Sequence, residues 1–249
     1  MQAPKLELAI DSIRLRYGSQ ALTRAAELPP PQPWRSGTAI DQLTGIGGMP
    51  RGRLSLFTGR ATCGKLSLAL ALLAKATHEF AQAVVIDADG FDLTALTSFS
   101  PELGALTVVR APALEVAGEA AATLARAGAG FLLLMSAIPE HWLGPLESGA
   151  NRSGTVVVGV GEAPDRALAH ASSFSLEFSR AGWVWERGQL VGLRVSARCV
   201  KNRVASPLGE TGLVIRYPLG AQTPCDFMPG VNEVPIRFEE AQPRESAAV

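Results

Sequence analysis

The stretch Phe57–Ala76, FTGRATCGKLSLALALLAKA, constrains the fold more than any other part of the chain. The run GRLSLFTG reads as a strand over 52–59, and the apolar residues from Lys65 to about Phe80 recur at helical spacing. Between them, Gly59, Gly64 and Lys65 stand at the spacing of a phosphate-binding loop. Such a loop works because successive backbone N–H groups and a helix N-terminus converge on an anion. Gly59, Cys63, Gly64, Lys65, Leu66 and Ser67 are therefore the candidate residues for holding the phosphates of ATP or ADP. One position departs from the pattern. The residue after the lysine is ordinarily Ser or Thr, whose hydroxyl holds Mg²⁺, and Leu66 cannot ligate a metal. Ser67 carries a hydroxyl one position later, but one residue is roughly 100° around a helix. A nucleotide is expected only without a well-supported magnesium ion, and no metal site is expected.

The remaining pattern places this unit in a larger sheet. AVVIDADG (83–90), LTVVRAP (106–112), GFLLLMSA (130–137) and GTVVVGVG (154–161) read as short buried strands. The alanine-rich EVAGEAAATLARAG (115–128) reads as a helix closed by glycine. Strands alternating with helices imply a parallel sheet covered on both faces. After residue 172, SFSLEFSR, GWVWERGQ, LVGLRVSARCVKN and TGLVIRYP alternate apolar and polar residues with short turns between, the pattern of an antiparallel extension. The fold class expected is α/β, a mostly parallel central sheet flanked by helices, with an antiparallel C-terminal extension. Residues 1–33 read as an arm with a proline-rich linker, LPPPQPW. Its apolar Leu6, Ala9, Ile10, Ile13 and Tyr17 recur at helical spacing, and Gly18 divides it into two short helices. Residues 34–220 form the core, and residues 221–249 a flexible tail whose one adhesive segment is EVPIRF.

Composition bounds the function classes. In 249 residues, 47% hydrophobic, there is material for one sizeable core. The 23 basic and 23 acidic residues cancel, so net charge argues for neither nucleic acid nor membrane. A local basic patch from Arg180, Arg187, Arg194, Arg198 and Arg203 would give weak, salt-dependent DNA binding. Three cysteines and three histidines form no disulfide framework and no metal-ligand spacing. The charged N-terminus does not read as a signal peptide, and no apolar run approaches the ~20 residues of a membrane span. A cytoplasmic protein is expected.

Several segments together resemble the RecA superfamily. SGTAIDQLTGIGGMPRGRLSLFTG resembles the opening of the recombinase core, and VVIDADG its next strand. VSARCVKNRVASPLGETGLVIRYPLG resembles the segment that leads into the last core strand. The resemblance implies a RecA-like core. It also places Asp89 at the carboxylate that activates the attacking water, and Lys201 and Arg203 at basic positions that reach the ATP of a neighbouring subunit. Departures accompany it. Met135 stands where the family's Walker B aspartate orients the metal shell. The segments 138–153 and 162–173 are short where RecA carries its DNA loops, and Glu162 is the nearest polar residue to the absent switch glutamine.

Within this group the chain resembles the ImuA family most, through a helical arm followed by W-x-x-G (34–37) and G-G-x-P-R-G (47–52). That resemblance implies a DNA-damage-response accessory protein supporting error-prone translesion synthesis in the SOS response. Its partners would be RecA and a polymerase-like ImuB protein, with self-association open. Its ATPase would be weak or absent. Two other readings stay open: a DNA-stimulated ATPase or recombination mediator of the RecA/RadA-paralogue kind, in which Ser67 and Asp89 rescue catalysis, and a division-inhibitor-like protein.

Overall fold

The structure is a computed structural model that describes residues 3–18, 32–87, 91–162, 166–206, 209–216 and 238–240. Helix α1 spans Ala3–Tyr17 and ends at Gly18, which adopts φ 92°. Taken by itself, α1 leaves Leu8, Ile13, Leu15 and Tyr17 exposed. The second helix expected in the arm, and the prolines at 29–31, lie outside the described residues.

From Pro33 onward the chain builds a sheet of nine strands among the described residues. The strands are β1 (Leu54–Gly59), β2 (Ala83–Asp87), β3 (Leu106–Arg110), β4 (Phe131–Leu134), β5 (Val156–Gly161), β6 (Phe174–Glu186), β7 (Gln189–Asn202), β8 (Glu210–Arg216) and β9 (Phe238–Glu240), in the order β3-β2-β4-β5-β1-β6-β7-β8-β9. The first six are mutually parallel, and β7, β8 and β9 each run antiparallel to the strand before. The expected α/β class is what the structure has. Its antiparallel part begins one strand later than the alternation suggests, because β6 pairs parallel to β1 over Phe174–Phe178 before it meets β7.

Strands β1, β2, β4 and β5 are buried on both sides, so their alternate residues feed two cores, while β6 gives its apolar face to one of them. Phe57, Val85, Leu133, Val158 and Leu176 join one cluster with Leu68, Leu72 and Leu73 of α3 (Lys65–Glu79). Leu54, Leu56, Val84, Ile86, Leu132 and Leu134 join the other, under α5 (Leu114–Ala127) and α6 (Glu140–Ser153). Short helices α2 (Ile40–Leu43), α4 (Leu93–Thr97) and α7 (Arg166–Ala171) complete the layers.

Two local readings needed correction. The segment 138–153, read only as a short connection, is mostly α6. Gly144, Pro145 and Gly149 hide its periodicity, yet the helix packs on α5, where a Cβ on Gly118 would lie 2.5 Å from the Trp142 ring. SFSLEFSR from Phe174 onward and the first five residues of GWVWERGQ, GWVWE, lie in one strand, β6. Ala181-Gly182 reads as a turn but is a bulge in register, and the true turn is Arg187-Gly188, both at positive φ.

Trp34 fastens the start of this unit to its core. It exchanges backbone hydrogen bonds with Met49 at 2.8 and 2.7 Å, and its ring meets Phe80 and Phe131 at centroid distances of 5.6 and 5.4 Å. Its indole N–H donates to Glu79 at 2.6 Å. Trp34→Ala removes a ring that is 6% exposed, and is expected to destabilise the fold by about 3–5 kcal/mol, measured by urea unfolding.

Candidate functional site

From the last residue of β1 to the N-cap of α3, residues 59–64, the backbone takes positive φ at three of six residues. Gly59, Thr62 and Gly64 have φ of 145°, 60° and 88°. Gly64 sits at the N-cap of α3 in the left-handed region. A Cβ there would lie 2.7 Å from both Val195 Cγ2 and Ile215 Cδ1. At Gly59 it would lie 2.4 Å from the Phe178 carbonyl oxygen and 2.8 Å from Cys63 Sγ. The loop is therefore pressed against β6, β7 and β8, and glycine is required twice by space as well as by φ.

Lys65, 8% exposed, turns its ammonium back into the loop, donating to the carbonyl oxygens of Gly59 at 2.8 Å and Arg60 at 3.1 Å. The first N–H groups of α3 have no intrahelical acceptors and carry the positive end of the helix dipole. They open onto a cavity of about 540 Å³. Residues 61–67 line one side of it, and Met135, Val160, Gly161 and Glu162 the other. Leu66 and Met135 thus share one cavity, Leu66 being 39% exposed. Ser67 also lines it, and Cys63 is buried. The donor set suits an anion: a lysine ammonium and a helix N-terminus. At the two positions where the resemblance implies metal support, Leu66 and Met135 offer Mg²⁺ no oxygen, and the oxygen-bearing side chains of the lining are Thr62, Ser67 and Glu162. Among the described residues, no three His, Cys, Asp or Glu side chains gather as a metal site.

The other predicted residues lie apart. Asp89 is outside the described residues. Asp87, two residues earlier and not singled out by its spacing, is buried at the end of β2 and accepts a hydrogen bond from the Phe91 backbone N–H. A buried carboxylate at a strand end was the available signal. Ser136, just after Met135, has a buried hydroxyl with no partner among the described residues. Lys201 is opposite Ser175, which is opposite Leu56, three residues before Gly59. It therefore stands roughly 10 Å down the sheet from the loop. Its ammonium donates to the Ala169 and His170 carbonyl oxygens at 2.6 and 2.8 Å, closing the end of α7. Burial lowers its pKa, the nearby Arg203 lowers it further, and Glu147 opposes both. Arg203 is exposed. Between the two, Asn202 holds the Leu43 and Thr44 carbonyls and accepts from the Val204 and Ala205 N–H groups.

This loop, cavity and strand order accompany a family match over residues 4–140, more than half of the chain, to the RecA N-terminal domain. The chain belongs to the RecA N-terminal domain family. It is 27% identical over 276 residues to Protein RecA of Aquifex pyrophilus, covering 90% of this chain and 76% of that protein. It is 28% identical over 258 residues to Protein RecA of Rubrobacter xylanophilus, covering 86% and 75%. Against Protein RecA of Thermus aquaticus it is 27% identical over 268 residues, covering 90% and 78%. Membership thus shows a RecA-like core, and the mostly parallel sheet with antiparallel C-terminal strands is consistent with it. No helix among the described residues is long and apolar enough to cross a membrane.

Gly64→Ala adds a Cβ into Val195 and Ile215 at a positive φ. It is expected to lower stability by about 1–3 kcal/mol, read from thermal unfolding of the variant beside the parent protein without any ligand.

Proposed function

We propose that this RecA-family protein is an accessory of the DNA-damage response that acts through its surfaces, with a phosphate loop that holds a nucleotide as a ligand rather than a substrate. The observation that carries the reading is the pairing of Leu66 and Met135 in the cavity beside Lys65. Phosphoryl transfer rests on positioning and on the metal's charge. A cavity with an anion cradle and apolar walls at both metal-holding positions keeps binding and forgoes turnover. The supported role is that of the ImuA family, which the chain resembles: an adaptor for error-prone translesion synthesis that contacts RecA and a polymerase-like ImuB protein. Weak, salt-dependent DNA contact and self-association belong to the same reading. Lys201 and Arg203, remote from the loop of their own chain, would meet phosphates only across a contact with a second copy. The alternatives of a DNA-stimulated ATPase or a division-inhibitor-like protein gain no observation of their own.

The purified protein is expected to hydrolyse ATP at background, equally in Lys65→Ala. A rate of ~1 per second that vanishes in Lys65→Ala would overturn the adaptor reading.

Partner contact is tested on the C-terminal segment. Phe238–Glu240 pairs with Leu213–Ile215 as β9, and the rest of EVPIRF lies outside the described residues. A protein ending at residue 221 should keep the cooperative melting of the core, since β9 adds one short edge strand. It should bind RecA or the ImuB-like protein more weakly in a pull-down. Undiminished binding to both, or loss of the melting transition, would remove the segment from the partner surface.

A further inference from the structure

The phosphate loop touches a row of side chains whose last member is not covered. Cross-strand partners share a face of a sheet, and Ile215, Leu193 and Trp183 are successive partners across β8, β7 and β6. Ile215 and Leu193 are buried at 2% and 4% exposure beneath the loop, where a Gly64 Cβ would meet both. Trp183, one strand further along the same row, is 43% exposed. The guanidinium of Arg180 lies 5.0 Å from the centre of its ring. Arg180 is opposite Val195, another residue against Gly64, so ring, cation and loop all stand on one side of the sheet. Two neighbouring arginines, by contrast, face other demands: Arg198 of β7 pairs with Glu177, and Arg216 of β8 with Glu186. Arg180 has no carboxylate partner among the described residues.

Trp183 is not among the residues that line the cavity; it stands one strand spacing, roughly 5 Å, beyond Leu193, which packs under Gly64, where the base of a nucleotide extending from the loop would reach it. We propose that Trp183 is a stacking platform for the base of a nucleoside di- or triphosphate whose phosphates lie at Gly64 and Lys65, with Arg180 at the platform's edge beside the phosphate chain. This rests on the loop's holding a nucleotide, as proposed above, and adds the residues that recognise its other end. Aromatic rings accept every base through its π-face, so the platform favours nucleotides over bare phosphates without choosing sharply among bases. Trp185 is more exposed, at 62%, but pairs with Leu190, nearer the hairpin tip and outside the row that meets the loop.

Calorimetric titration of the full chain with ADP and with pyrophosphate, both in EDTA, tests this. Trp183→Leu should weaken ADP about tenfold, the usual loss for one base–aromatic stack, and leave pyrophosphate unchanged. Trp183→Phe should restore most of the ADP affinity, and Trp185→Leu should not alter it. Lys65→Ala should weaken both ligands. If ADP binds Trp183→Leu as tightly as the parent, or if ADP and pyrophosphate weaken together, Trp183 is no base platform. If the parent protein binds neither ligand, the phosphate-loop reading itself falls, and the inference with it.

Discussion

The close approach of Gly64 to Val195, Leu193 and Ile215 links the two halves of the sheet. The loop after β1 could not lie in its observed path if β7 and β8 stood elsewhere, and those strands reach their place only because β6 first pairs with β1. The parallel half and the antiparallel half are therefore one packing problem. A consequence is that glycine at 59 and 64 is demanded by the fold whether or not a ligand binds. Only Lys65 and the open first turn of α3 speak for an anion.

The parallel core was legible because its strands are short apolar runs bounded by turn residues, β-branched in Ala83–Asp87 and Val156–Gly161. The loop was legible because its glycines and lysine fall at a fixed spacing. Longer-range facts were not. Nothing local marks β6 as parallel to β1 in its first half, since Phe174, Leu176 and Phe178 alternate as an antiparallel strand would. Helix α6 contains Pro145 and three flanking or internal glycines, which weaken local propensity, yet packing against the small face of α5 overrides them. Within the site, the sharing of one cavity by Leu66 and Met135 followed from the family resemblance. The role of Asp87 and the use of Lys201 to close α7 depend on three-dimensional neighbours that no spacing reveals.

A net charge of zero concealed an uneven surface. Between Phe174 and Asn202 the hairpin carries Arg180, Arg187, Arg194, Arg198 and Lys201 against Glu177 and Glu186. Arg198 is held by Glu177, which raises its pKa, and Lys201 is committed to α7. Such exposed ion pairs add little stability. They do decide which cations remain for a ligand, and Arg180 is one. On the far side, Glu115 accepts from the Trp142 indole and from His141, and these two bonds, the Trp142 one foremost, lower its pKa. That contribution to stability is present above the carboxylate's unfolded pKa and fades as pH falls through its lowered folded value.

Lys65 shows how such a loop can persist without a metal. A nearly buried ammonium without acceptors would be costly, and two carbonyls of the loop satisfy it in place. An incoming phosphate competes with neutral acceptors, and a charge-assisted bond is the stronger, so an anion can draw the ammonium away and also meet the helix N-terminus. Mg²⁺ gains nothing comparable here, because Leu66 and Met135 give it no oxygen. The loop thus offers a phosphate an ammonium and a helix N-terminus, while Leu66 and Met135 beside it offer a metal ion no oxygen. Under the adaptor role proposed above, nucleotide occupancy would serve to fix the loop, and with it the strands β7 and β8 that the loop packs upon.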